Sequence, residues 1–454
     1  MTETSEAQDN TASGGKMGLL DAVMIGMGAM IGAGIFVLTG LAAEIAGPAA
    51  ILVFGLNGVV TTFTALSYAE LSGTIAKSGG GYAFVHQVLA GPWSFLTGWA
   101  LGFSYMVAGA LYARGFGANM FELLSLYGVE PPQQISVGGV SIDFGVIVLA
   151  VVVVGLFALL NVASASATGR AETVVTMIKI AILVVFVGFG LMAASTDAFT
   201  PLFPMGAGAV LPAMGLTFIA FEGYDLIATT AEDVEDPRHT IPRAIFISLV
   251  ATVVIYLFVV YIAIGTLGAD ELGEAGETGI ARAARTFMPT LPLIGSGAAV
   301  IAFGAVFSTV SALNAVLYAS SRVAFDMGRN GQLPERVGTT SDTRDTPKVA
   351  VLLAAAVMVV AVMTAPIELV GNLSSLFFLV SFALVNVAVI KLRRDEPDRD
   401  RTFRVPLFPA PPVLGAVLSL ALAAFIPLQV WMIGMAWLVL GGGVHLAMRR
   451  AGSS

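Results

Sequence analysis

Apolar runs of about 20 residues, parted by short polar loops, repeat along almost the whole chain. As helices they match the roughly 30 Å hydrocarbon core of a bilayer. Twelve are predicted, at about residues 18–45, 48–76, 84–125, 142–162, 171–195, 207–233, 242–268, 292–325, 348–364, 367–391, 411–427 and 429–448. No stretch between them is long enough for a soluble domain, so one membrane domain over 16–450 is expected. Residues 1–15 are polar and lack the basic start and short apolar core of a signal peptide; they read as a disordered cytoplasmic tail.

Two runs depart from the uniform pattern. In the first, Gly28-Ala-Met-Ile-Gly-Ala-Gly-Ile-Phe36 sets three glycines where a plain span favours Leu and Val. Glycine adopts backbone conformations that other residues resist, and a broken helix survives in a bilayer only where protein or a cavity satisfies its freed backbone groups. In the sixth, Thr217-Phe-Ile-Ala-Phe-Glu-Gly-Tyr-Asp225 sets Glu222, Gly223 and Asp225 in an apolar stretch. Interrupted spans five apart are what an inverted repeat of five plus five helices produces, with a binding site near the midplane. The first repeat would cover about 18–195, the second about 207–391, and two extra helices about 411–448. The competing reading is that small residues such as Gly28 and Gly32 only let helices pack closely.

Charge orients the bundle. Counting loops alternately from the amino terminus puts eighteen of the 22 Lys and Arg on one side, the exceptions being Arg114, Lys179, Arg282 and Arg285. The positive-inside rule then predicts a protein of the cytoplasmic membrane with both termini in the cytoplasm. Composition agrees, with 57% hydrophobic and 11% charged residues and a mean hydropathy of +0.89. A net charge of −8, with five Lys against seventeen Arg, suits either a high-salt solvent or a biased genome. Membrane lipid is the expected surrounding, and no nucleic acid is expected as a partner. With no Cys, His only at 86, 239 and 445 and no HExxH pattern, neither a zinc site nor a nucleophilic dyad is visible, so no cofactor, metal or enzyme chemistry is expected. Gly26-Met-Gly-Ala-Met-Ile-Gly32 has the wrong last spacing for a dinucleotide fingerprint and lies in an apolar span without a βαβ unit.

Four motifs, taken in order, resemble the amino acid-polyamine-organocation superfamily of permeases over nearly the whole length. They are Gly28-Ala-Met-Ile-Gly-Ala-Gly-Ile-Phe36; Tyr68-Ala-Glu-Leu71 followed by Ser78-Gly-Gly-Gly-Tyr82; Ala220-Phe-Glu-Gly-Tyr-Asp225 leading to Glu235-Asp-Pro-Arg-His-Thr-Ile-Pro-Arg243; and Ser320-Ser-Arg-Val-Ala-Phe-Asp-Met-Gly-Arg-Asn-Gly-Gln-Leu-Pro334. The resemblance implies an all-α, LeuT-like fold with discontinuous first and sixth helices, moving amino acids by alternating access.

Helix physics says which groups would bind. A break in the first span leaves a half-helix whose first amides carry partial positive charge, so the amides near Gly32, Ala33 and Gly34 form a carboxylate site. By the family likeness, the carbonyls of Met30, Ile219 and Glu222 would accept from an α-ammonium. Phe218, Phe221 and Tyr224 are either pocket walls or packing residues. Asp225 would gate, sense pH or pair within the bundle, Glu222 would meet a basic substrate, carry a proton or turn away, and Glu70 reads as a loop anchor.

Lys179 lies nine residues beyond Arg170, roughly 13 Å into the membrane as a helix. A charged lysine there costs at least about 2.5–3.5 kcal/mol, so it either snorkels to the interface or serves a function. In proton-coupled members of the resembled family, a fifth-span lysine stands where sodium-coupled relatives hold a cation. The resemblance thus implies that Lys179, faced by Ser308, Thr309 and Ser311, binds the coupling proton, with sodium the less favoured ion.

On specificity, members preferring cationic amino acids carry a Glu just before a Tyr-Met pair in span three. Here Phe103-Ser-Tyr-Met106 puts Ser104 in that place, which favours neutral substrates, although Glu222 keeps a cationic amino acid or polyamine open. A channel or a non-transporting amino acid receptor is the alternative from another class.

Overall fold

The computed structural model describes residues 16–75, 79–129, 135–137, 140–163, 169–291, 295–341 and 346–451. The segment 1–15, read above as a tail, lies outside them, as do Lys77 and Arg344 of the charge count. Helices make up most of the described chain: α1 (Leu19–Met30), α2 (Ala33–Ala46), α3 (Ala50–Thr74), α4 (Gly80–Val88), α5 (Gly91–Ser125), α6 (Phe144–Ala163), α7 (Gly169–Gly190), α8 (Val210–Thr217), α9 (Tyr224–Thr229), α10 (Pro237–Leu267), α11 (Ala269–Ala275), α12 (Gly279–Phe287), α13 (Gly297–Arg329), α14 (Lys348–Thr364), α15 (Ile367–Asp395), α16 (Ala410–Ala424) and α17 (Leu428–Ala451). Two antiparallel ribbons, Ile135–Val137 with Val140–Ile142 and Thr290–Leu291 with Gly295–Ser296, are the strands among the described residues. Nine stretches among those residues are long and apolar enough to cross a membrane. The first, Leu19–Thr74, contains α1, α2 and α3, and the shorter apolar helices α14 and α16 accompany the nine.

The predicted runs match helices to within several residues, with two departures. The run at 84–125 is divided: α4 ends at Val88, Ala90 and Gly91 take positive φ, and Pro92 opens α5. Proline has no amide to give to a preceding turn and restricts the residue before it, so a helix starts there rather than passes through. Between α10 and α13, where no span is predicted, lie the short helices α11 and α12. In α12, Ile280, Ala283 and Ala284 are buried while Arg282 and Arg285 are exposed, the pattern of a helix lying on a surface.

At one end of the bundle the basic residues gather. Arg238 Nε donates to Gly73 O at 3.0 Å, and Thr402 Oγ1 reaches the same carbonyl at 3.3 Å. Met17 pairs with the strand-like residues near Val234, its amide donating to Asp233 O at 2.9 Å. Glu70, fully buried, anchors this end: Arg393 donates to both of its oxygens at 2.6 and 2.5 Å, Arg401 Nε lies 3.4 Å from Oε1, and the Val405 amide donates at 2.7 Å. One carboxylate thus ties α3 to α15 and to the segment after it.

Removing one partner of a buried ion pair strands the other's charge. Glu70→Gln is expected to cost about 3–5 kcal/mol and lower the midpoint of thermal unfolding in detergent. An unchanged midpoint would show that this carboxylate does not hold the end together.

Candidate functional site

Both interrupted spans are broken midway, and the breaks touch. In the first, α1 stops at Met30, Ile31 and Gly32 turn, and α2 restarts at Ala33. In the sixth, α8 stops at Thr217, a 3-10 turn covers Phe218–Phe221, Glu222 is extended, and Gly223 at φ 133° lets α9 restart at Tyr224. Only glycine is comfortable at that angle, and a Cβ on Gly223 would stand 2.7 Å from Met30 N. A Cβ on Gly34 would stand 2.8 Å from Ala220 Cα. The two breaks meet because both positions are bare.

The break frees carbonyls of the first span. In a continuous helix the Gly32 amide would bond Gly28 O; here it bonds Ala29 O at 3.2 Å. Side chains of three other helices take up what is freed. Lys179 Nζ of α7 donates to Gly28 O at 3.0 Å. Tyr256 Oη of α10 lies against one carbonyl from each break, Met30 O and, at 2.9 Å, Ala220 O; its single hydrogen serves one of them at a time. Ser308 Oγ of α13 bonds Ile31 O, with Gly32 O at 3.1 Å. In the sixth span, Ile219 N donates to Ser375 Oγ of α15 at 3.2 Å, and Ile219 O accepts from the Glu222 amide at 3.1 Å. The first amides of α2, including those of Ala33 and Gly34, have no intrahelical acceptor, and no side chain among the described residues accepts from them.

The side chains singled out from the sequence fall into three groups. Phe218, Phe221 and Tyr224 are fully buried around the sixth-span break, with ring centroids 6.1 Å from Phe382, 5.4 Å from Tyr256 and 5.6 Å from Tyr68 respectively. Asp225 folds back to cap its own helix, taking the Gly223 amide at 2.8 Å on one oxygen and the Tyr105 hydroxyl on the other. Glu222 is 3% exposed, and neither of its oxygens has a partner among the described residues. Ser104 points to α15 and exchanges hydrogen bonds with Ser374, Oγ to O, at 2.7 and 2.9 Å.

Around Lys179 the three α13 hydroxyls divide. Ser308 holds the first-span carbonyls, Thr309 bonds Ala305 O and Val306 O of its own helix at 2.9 Å each, and Ser311 donates to Glu172 Oε1 at 2.9 Å. Lys179 is fully buried, and Glu172 Oε1 lies 3.9 Å from its Nζ. Sequence reasoning missed Tyr256 and Glu172. The signal for Glu172 was its place two helical turns before Lys179; Tyr256 sits in Val253-Val-Ile-Tyr-Leu257, with nothing in that run to mark it.

At the end opposite Glu70 a cavity of about 700 Å³ is lined by Glu44, Asp143, Asp270, Glu274, Glu277 and Glu368, with Arg282 among them. Burial pushes the Glu277 carboxyl up to about 7; Arg114 pulls it down, and Glu368 and Asp143 add to the rise.

Known proteins share this chain's pattern along most of its length. The family model described as Amino acid permease matches residues 17–444. The branched-chain amino acid permease BcaP of Bacillus subtilis is 29% identical over 449 residues, 96% of this chain and 93% of that protein. A methylthioribose transporter of the same organism is 28% identical over 99% of this chain and 96% of its own. An uncharacterized transporter of Mycobacterium tuberculosis is 32% identical over 94% and 90%. With a match that spans nearly the whole chain and apolar helices throughout, the protein belongs to the amino acid permease family and is a multi-pass membrane protein.

Proposed function

We propose that this permease carries neutral amino acids, branched-chain ones among them, across the cytoplasmic membrane by alternating access, coupled to protons. Residues 16–450 form one transport domain of twelve spans, five plus five in inverted repeat with two appended, and both termini face the cytoplasm. The protein acts as a carrier rather than as an enzyme, channel or receptor.

The observation that carries this reading is the pair of touching helix breaks. Free amides at Ala33 and Gly34 supply the pole for a carboxylate. The carbonyls of Met30, Ile219 and Glu222 supply the pole for an α-ammonium, with Tyr256 as the group that a substrate's ammonium would displace from Met30 O. Recognition by main chain leaves the substrate's side chain to Phe218, Phe221 and Tyr224, whose apolar rings suit an aliphatic group. The name of the Bacillus subtilis relative points the same way. Proton coupling is supported by Lys179, a fully buried amine of α7 bonded to the first freed carbonyl of the broken helix.

A cationic substrate is the second reading, and Glu222 favours it. Two buried carboxylate oxygens without partners are costly, and a guanidinium or ammonium would satisfy them.

Equilibrium binding to purified protein separates these. Leucine should bind at least about tenfold more tightly than arginine, a difference of about 1.4 kcal/mol. The reverse order would establish the second reading, whereas binding of putrescine or methylthioribose alone would sink the two-pole site. For coupling, Lys179→Gln in vesicles is expected to retain leucine binding and lose uptake driven by a pH gradient; full pH-driven uptake would refute it.

A further inference from the structure

Glu172 is the charged group that the reading above leaves unused. It stands at the very start of the apolar stretch Glu172–Gly190, and its side chain is 26% exposed, against 0% for Lys179. Seven residues apart, the two lie on one face of α7, and a helical lysine stem runs back toward the amino end of its helix, which brings Nζ to 3.9 Å from Oε1. The same oxygen takes the Ser311 hydroxyl of α13 at 2.9 Å, and the Thr176 hydroxyl lies 3.5 Å away. It also abuts the first span, since a Cβ on Gly28 would stand 2.6 Å from it. One carboxylate oxygen thus sits where α1, α7 and α13 meet, beside the buried Lys179 and on a partly exposed side chain at the start of the span.

We propose that Glu172 is the relay through which Lys179 exchanges its proton with the solution at the basic end of the bundle. The proposal rests on Lys179 being the coupling residue. In the transfer, an N–H bond of the Lys179 ammonium breaks and an O–H bond forms on the Glu172 carboxylate. Both groups become neutral, so no lone charge stays buried. The O–H bond then breaks to water at the exposed side of the carboxylate, and Lys179 is reloaded from the opposite side of the membrane. Nζ must move by about 1 Å to reach hydrogen-bond distance, which its flexible stem permits.

From α1, Asp21 accepts from Thr173 Oγ1 at 2.7 Å, one residue beyond Glu172. Among the described residues, α10, α12 and α13 bring no charged side chain into ion-pair range of Glu172 or Lys179.

The test uses full-length protein in proteoliposomes and compares Glu172→Gln, Glu172→Asp and Lys179→Gln. For Glu172→Gln, leucine exchange between the two sides is expected to persist, while net uptake driven by a pH gradient falls at least about tenfold and loses its dependence on pH at the basic end. Glu172→Asp should restore part of both. If Glu172→Gln keeps the native pH profile while Lys179→Gln has lost pH-driven uptake, the relay is wrong and the coupling role of Lys179 stands. If Lys179→Gln keeps full pH-driven uptake, the coupling reading falls and the relay with it. Should Glu172→Gln fail to fold, Ser311→Ala, which unties the carboxylate from α13, is expected to shift the pH profile of net uptake; an unshifted profile overturns the proposal.

Discussion

A carbonyl that loses its helical partner inside an apolar bundle must find another donor, and water is not available to supply one. The rest of the structure is arranged around that requirement. Breaking the first span at Ile31 and Gly32 frees Gly28 O, Met30 O and Ile31 O, and each has recruited a donor from a different helix: Lys179 from α7, Tyr256 from α10 and Ser308 from α13. Since an unpaired buried polar group costs about 1–3 kcal/mol, these donors are tied to the break as firmly as the break is tied to them. The first span is therefore held by side chains rather than by its own ladder, and any tilt of α1 against α2 has to be negotiated with three neighbours at once.

Those neighbours are not equivalent. Tyr256 and Ser308 are neutral and hold the part of the break that faces the sixth span and the free amides of α2. Lys179 is ionisable and holds Gly28 O, closer to the start of α1. Its bond can be weakened by loss of a proton alone: a neutral amine is a weaker donor to a carbonyl than an ammonium is. Charge state at Lys179 thus bears directly on whether α1 stays docked against α7. The proposed ammonium pole lies on the other side of the same break, at Met30 O. On the proposed reading, proton and substrate would address carbonyls two residues apart on one helix, Gly28 O and Met30 O, a physical route to coupling without direct contact between them.

Much of this was legible in the sequence, and the reason is local. Glycine at 28, 32, 34 and 223 and acid at 222 and 225 are violations of a simple apolar pattern, and violations of a strong pattern are visible without any knowledge of contacts. The depth of Lys179 was legible for the same reason. Tyr256 was not, because a tyrosine in Val253-Val-Ile-Tyr-Leu257 breaks no pattern and its role exists only through carbonyls 226 and 36 residues away. Ser104 shows the converse limit. Its position beside Tyr105 and Met106 was read from a motif, but whether its hydroxyl turned toward the break or toward Ser374 depended on how α5 packs against α15. The division of the third run into α4 and α5 could have been seen at Gly91-Pro92; a long apolar run simply outweighed it.

Glu222 and Asp225 place two carboxyls in the sixth-span break, and their surroundings treat them differently. Both are acids buried in the sixth-span break, three residues apart, yet Asp225 is bonded by an amide and a hydroxyl while Glu222 has no partner among the described residues. The difference follows from the backbone. Gly223 turns the chain at φ 133° and delivers its own amide to Asp225, so this acid completes the start of α9 as a cap does. Glu222 precedes the turn in an extended conformation, and neither of its oxygens finds a donor among the described residues. A residue that only shaped the break would not need a carboxyl there. An unsatisfied polar group beside the proposed main-chain site is instead a place where the chemistry of a cargo would be read, since a substrate that partners Glu222 gains what one that leaves it alone forgoes.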